Sequence, residues 1–190
     1  MTTTRLIERW LPIADIGEES ARERRSMTAL PGIYFLHVWW ARRPLVASRA
    51  AVLASLLPED TDAASFKHAL GIHGEPAKTK VQIEIAKKAK KNLGPNPYGY
   101  RRAFQFHPHD AARQLRADID GLTVLDPTAG GGAIPLEAMR LGAQAIANDI
   151  NPVASLIIRA TAELPARYGR KLVAEYTELA GKFSGLCKEA

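Results

Sequence analysis

The chain has a single cysteine, Cys187, in 190 residues. That excludes an internal disulfide and any zinc ribbon of its own, and it fits a reducing cytoplasm. Long hydrophobic runs are missing as well. No stretch of about 18 apolar residues occurs, so no membrane-spanning helix is expected. Met1 to Arg9 carries charge early and lacks an apolar core, so no secretion signal is expected. His68, His73, His107 and His109 offer no third ligand at a convincing spacing, so no metal is expected. Acids are scarce in one window. From Lys78 to Arg102, only Glu84 opposes eight basic residues, and the window is more positive than the whole chain at +6. The remainder is therefore near neutral. A local basic surface suits a polyanion, so phosphate contact is expected at Lys87, Lys88, Lys90, Lys91, Arg101 and Arg102. The competing expectation for such a run is a solvated helix face.

The chain is 46% apolar, enough for one soluble domain with its own core. Leu122 to Pro152 organises it. Leu122 to Leu125 is a short buried-strand pattern ended by Asp126. Thr128 to Gly132 form a loop with three consecutive glycines. Ile134, Leu136, Met139 and Leu141 carry helical spacing, and Gly142 suits the position just past the helix. Ala145 to Ala147 read as a second strand, closed by Asp149. In open α/β sheets a ligand lies beyond the carboxyl ends of the strands. Glycines let it approach the backbone, and a helix N-terminus adds N–H donors. An acid about 20 residues past the loop is placed for ribose hydroxyls. A nucleoside-containing cofactor is therefore expected. Pro135 stands where the dinucleotide fingerprint needs its third glycine, and no Gly-Lys-Ser/Thr follows, so neither NAD nor a P-loop ligand is favoured. An acid before the loop suits a cationic group, as in S-adenosylmethionine.

Asp126-Pro127-Thr128-Ala129-Gly130-Gly131-Gly132 resembles the Asp-Pro-Phe-Ala-Gly-Ser-Gly signature of DNA amino-methyltransferases. His37-Val38-Trp39-Trp40-Ala41-Arg42-Arg43-Pro44-Leu45 resembles the N-terminal signature of one subgroup, the adenine-specific DNA methylases with an appended zinc ribbon. The N-terminal segment of that subgroup is catalogued as a domain of unknown function (type 1156). The second stretch is also similar to the His-Pro-Thr-x-Lys-Pro-Leu element that walls the cofactor site in many DNA amino-methyltransferases. The resemblance implies S-adenosylmethionine as cofactor. It implies a cofactor site built from Asp126, Pro127, Thr128, Ala129, Gly130, Gly131, Gly132 and Asp149, walled by Trp39, Trp40, Arg42, Arg43 and Pro44. Asp149 would hold the ribose. An indole can stack on adenine, and an arginine can pair with a carboxylate. Plain core for the tryptophans and plain surface for the arginines is the alternative.

The implied fold is the N-terminal portion of a Rossmann-like class I methyltransferase sheet, with a helical N-terminal segment and an insertion. Three segments follow. Residues 1–58 hold the Trp-Trp-Ala-Arg-Arg-Pro element, 59–118 a basic insertion, and 119–190 the first half of the cofactor-binding domain. Charged Glu18 to Met27 is expected to be a helix with a solvated face. Ile33 to Trp40 has strand-like composition. Pro44 should open a helix reaching about Leu57, with Leu45, Val46, Val52, Leu53 and Leu56 inward. Gly71 to Thr79 is expected to be a loop, Val81 to Lys91 a helix, and His107 to Asp118 a helix capped by Asp110. Asn96-Pro97-Tyr98 lacks one proline of the family's catalytic Asp/Asn/Ser-Pro-Pro-aromatic motif and precedes the glycine loop, so a turn is expected. Asn151 and Pro152 should start an apolar helix that Pro165 breaks, and Arg167 to Phe183 should be another.

Only two strands are visible and the catalytic motif is absent, so no catalytic residue is assigned. Open sheet edges are expected. The expectation is the cofactor-binding part of a DNA adenine N6-methyltransferase, inactive alone. The rest would come from a second chain or a missing C-terminal segment. A non-catalytic accessory subunit that binds S-adenosylmethionine or DNA is the alternative.

Overall fold

The computed structural model describes residues 4–25 and 30–189. It is mostly helical, with one small parallel sheet. In chain order the elements are α1 (Leu6–Arg9), α2 (Ile13–Arg24), α3 (Ile33–Leu36), α4 (Leu45–Leu56), α5 (Ala63–Leu70), α6 (Pro76–Lys88) and α7 (His109–Leu115). There follow β1 (Thr123–Asp126), α8 (Ala133–Leu141), β2 (Gln144–Ala147), α9 (Pro152–Ile158), α10 (Leu164–Tyr168) and α11 (Arg170–Glu189). Strands β1 and β2 pair in parallel, Thr123 against Gln144 through Asp126 against Ala147, with α8 as the crossover.

One core serves the whole arrangement. Val46, Leu53 and Leu57 from the α4 region pack with Phe66, Leu70 and Ile72, with Ala111, Ala112 and Ile119, and with Ala138 and Leu141 of α8. Residues 59–118 thus contribute to the same core as the segments on either side. The inward face of the sheet, Val124 and Ala145, packs on this cluster. The outward face does not: Leu125 is 63% exposed and Ile146 55%. Helix α11 likewise leaves Val173, Tyr176, Leu179, Phe183 and Leu186 in solvent. Gly142 is required where it stands. Its φ is +104°, and a Cβ there would strike Asp120 and His109.

Charge is built into the interior. Arg49 is fully buried, its Nε 2.6 Å from Glu137 Oε2. Its Nη1 donates to the carbonyls of Leu70 (2.8 Å) and Ala103 (3.0 Å). Glu137 is itself buried and also meets Arg140, whose Nη2 donates to the carbonyls of Phe104 and Phe106. Two helices and two segments of the 59–118 stretch are fastened at one point.

Several expectations change. The face of α2 is not solvated: Glu18, Glu19, Arg22 and Glu23 are buried, because each meets a partner from elsewhere in the chain, namely Tyr98, Tyr100, the Tyr100 carbonyl and the Leu45 N–H. The helix ends at Arg24, and the expected end at Met27 lies outside the described residues. Ile33–Leu36 is a helical turn, not strand; no neighbouring strand offers the pleated surface that strand composition fits. Helix α6 starts at Pro76, earlier than expected, with the proline ring fixing φ in its first turn. Asp110 does not cap α7; it sits in the first turn. Pro165 does not break the chain's helical course. A π-turn over Arg159–Glu163 carries the helix into α10 and places Pro165 where its missing N–H is not needed. The expected turn at Asn96–Tyr98 is present, closed by the Gly99 N–H on the Asn96 carbonyl, as are the helix from Pro44 and the Asn151 cap.

Removing Arg49 would leave Glu137 buried with half its compensation. Arg49→Ala is expected to cost roughly 3–5 kcal/mol in urea unfolding, while Arg49→Met with Glu137→Leu recovers most of it. Equal loss in the single and double variants would show that the pair does not act as a unit.

Candidate functional site: a cleft over the glycine loop

The turn between β1 and α8 is a cradle of bare backbone. Ala129 N–H donates to Asn148 O (2.9 Å), and Asn148 N–H donates to Asp126 O (2.9 Å), so the loop is tied to the end of β2. Gly130 has φ +51°. A Cβ on it would come within 2.7 Å of Trp39 Nε1, so only glycine lets the indole lie this close. Gly131 lies against the same indole.

Trp39 reaches the loop through a relay that begins at Glu23. The Glu23 carboxylate accepts N–H bonds from Leu45 (3.0 Å) and Val46 (3.4 Å), capping the N-terminus of α4 from another helix. It also accepts the Tyr34 hydroxyl, which contacts the Arg43 carbonyl at 3.3 Å. Burial pushes the Glu23 carboxyl above the usual glutamate range, against the pull of the Tyr34 and backbone bonds. The Tyr34 ring in turn carries the Arg42 guanidinium, 4.7 Å from its centroid. Residues 37–44 are therefore held from both ends although they form no regular element.

Between this segment and the loop lies a cleft of about 180 Å³. Trp39, Arg42 and Arg43 line one side, and Asp126, Thr128, Ala129, Gly130 and Gly131 the other. Ile33, Ile134 and Ile157 add apolar walls. Asp126 is buried; its Oδ1 accepts the Thr128 N–H at 3.1 Å, and its Oδ2 makes no hydrogen bond among the described residues. One buried carboxylate thus faces two guanidiniums across the cleft.

The sequence-selected residues divide accordingly. Asp126, Thr128, Ala129, Gly130, Gly131, Trp39, Arg42 and Arg43 come together. Pro127 is exposed, and Gly132 precedes α8 with φ +79°. Pro44 precedes α4 and lies outside the cleft. Trp40 points away and is 97% exposed. Asp149 does not line the cleft either. Its Oδ2 accepts the Gly130 N–H (2.7 Å) and its Oδ1 the Asn151 N–H (2.9 Å), so it clasps the loop from behind. The lysines Lys87, Lys88, Lys90 and Lys91 are exposed and border none of these walls, and Arg101 and Arg102 border separate clefts. Tyr34, His37 and the three isoleucines were not assigned to the site from the sequence. Tyr34 sat in an aromatic run, but nothing in its spacing announced a bond to Glu23.

The N–H groups of Asn151 and then Gly130 hold the Asp149 carboxyl below the ordinary aspartate range. The clasp is therefore intact above the ordinary value of 3.8 and is lost as pH falls through the lowered one. Asp149→Ala is expected to cut hydrogen-exchange protection of the Gly130 amide at neutral pH with the helical circular dichroism intact. Unchanged protection would remove the clasp.

Among known families, residues 10–88 match the model described as Protein of unknown function (DUF1156). That stretch runs through α6 and includes Trp39 to Pro44, and it stops short of the glycine loop. No curated protein and no solved structure matches the chain.

Proposed function

We propose that the cleft binds S-adenosylmethionine and that the chain is the cofactor-binding part of a DNA adenine N6-methyltransferase, its βαβ unit being the start of a Rossmann-like sheet. The observation that carries this is the placement of Asp126 with Arg42 and Arg43 in the lining of one glycine-floored cleft. An amino-acid end bears an ammonium and a carboxylate, and this cleft offers an unpaired buried carboxylate for the first and guanidiniums for the second. The bare loop lets the ligand approach the backbone, and the Trp39 indole offers an aromatic face. The resemblance of Asp126–Gly132 and His37–Leu45 to the DNA amino-methyltransferase signatures supports the same reading.

When bound, the cofactor supplies a methyl group on a positively charged sulfur. The chain's own residues bind and orient it. Asp126 and the arginines fix the amino-acid end, and the Glu23–Tyr34 relay holds Arg42 in place. A cleft of about 180 Å³ is small for a whole cofactor, against about 300–1,000 Å³ for ordinary ligand sites. Trp39 covers the loop, so it must yield as the ligand enters. The target-base motif does not come from Asn96–Tyr98. Tyr98 is held by Glu18 and Arg25, with the Arg22 guanidinium 3.7 Å over its ring. The exposed outer sheet face and α11 stripe favour a further polypeptide completing the unit. In the accessory-subunit reading the same cleft serves without chemistry.

Isothermal titration with S-adenosylmethionine tests the proposal. The wild-type chain is expected to bind, and Asp126→Asn, which keeps the shape and removes the charge, to bind about 10- to 100-fold more weakly. No binding by the wild-type chain, or equal affinity in the variant, would contradict it.

A further inference from the structure

Trp39 and Arg42 form a wall with two sides. Beyond the inner cleft lies an outer one lined by Arg24, Val38, Trp39, Trp40 and Arg42. Trp40 is 97% exposed there, an indole presenting its faces to solvent. A separate cleft near the end of α2 is lined among others by Arg25, Tyr98, Arg101 and Arg102. The acids of this region are already engaged. Glu18 holds Arg25, Glu19 holds Arg22 and Tyr100, and Glu23 holds Tyr34 and the α4 N-terminus. Arg24, Arg42, Arg43 and Arg101 meet no carboxylate among the described residues, whereas Arg22, Arg25 and Arg49 each do.

We infer that this outer surface binds single-stranded nucleic acid, with an unstacked base on Trp40 and a flanking phosphate on Arg24. Uncompensated guanidiniums beside an exposed aromatic ring are what a flexible polyanion with free π-faces requires. A duplex keeps its base faces inside the stack, so Trp40 would find none. Exposed Phe35 and Val38 beside it could also meet a protein, but an apolar partner would leave the guanidiniums unpaired. The inference moves the nucleic-acid contact from the α6 lysines to the arginine–tryptophan surface. It deepens the reading of the inner cleft, because a base on Trp40 would stand at the wall shared with the methyl donor; to that extent it rests on that reading.

The test uses the full chain and a fluorescein-labelled, adenine-containing single strand of about 12 nucleotides, followed by anisotropy at low salt. Tight binding to the single strand, weaker binding to the matching duplex, and a loss of about 5- to 100-fold in Trp40→Ala are expected. Arg24→Gln should lower the slope of log affinity against log salt by about one. Because Trp40 is almost wholly exposed, its variant is expected to keep the wild-type circular dichroism. S-adenosylmethionine affinity should also be unchanged in Trp40→Ala. Strand affinity unchanged in Trp40→Ala would overturn the inference, as would equal affinity for duplex. So would a Trp40→Ala variant that loses S-adenosylmethionine and keeps the strand. If the wild-type chain binds the strand through Trp40 but takes no S-adenosylmethionine, the inner-cleft reading fails and this one stands.

Discussion

The buried ion pair between Arg49 and Glu137 is the constraint on which the rest depends. Two charges out of water are costly, and most of this pair's donors and acceptors find partners, only Arg49 Nη2 in the pair being buried without one among the described residues. Arg49 takes Glu137 and two carbonyls, from Leu70 and Ala103; Glu137 takes Arg140, which takes two more, from Phe104 and Phe106. The consequence is positional. Helix α4, which follows the Trp39–Pro44 segment, is locked against α8, which follows the glycine loop. The two halves of the cleft are far apart in sequence and are brought to face each other by this contact.

A second layer of charge refines that placement. Glu23 caps α4 and holds Tyr34, and Tyr34 carries Arg42. Glu19 accepts the Ala103 N–H and the Tyr100 hydroxyl, fixing the segment that ends at Arg49's carbonyl partner. An irregular eight-residue segment is thereby positioned with no secondary structure of its own. Rigid support under an irregular wall is the usual arrangement at binding sites, where side chains must be placed while room is left for a ligand. Here Trp39 rests on glycines that give it space.

Where structure follows from local chemistry, the sequence was legible. The β1–α8–β2 unit could be anticipated from the run Leu122–Leu125, the glycines, Gly142 and the Asn151-Pro152 start. Each of those acts within its own few residues. What escaped was long-range. Glu19, Glu23 and Arg49 look like solvent-facing residues until their partners arrive, and Glu137 is 88 residues from Arg49. The spacing of Asp149 correctly placed it at the end of β2, but spacing cannot show that both its oxygens turn back to backbone N–H groups. The adjacent tryptophans look alike in sequence; a turn of the chain sends Trp39 inward onto the loop and Trp40 outward.

The central claim is that the glycine loop and Trp39 together receive a cofactor. Titration of S-adenosylmethionine into the ¹⁵N-labelled chain, followed by amide and indole N–H resonances, examines it at the atoms concerned. The account predicts that the amides of Ala129, Gly130 and Gly131 and the Trp39 indole N–H shift together, while the Trp40 indole and the amides of Lys87 to Lys91 stay in place. Resonances that do not move at the loop, or that move first along α6, would contradict it.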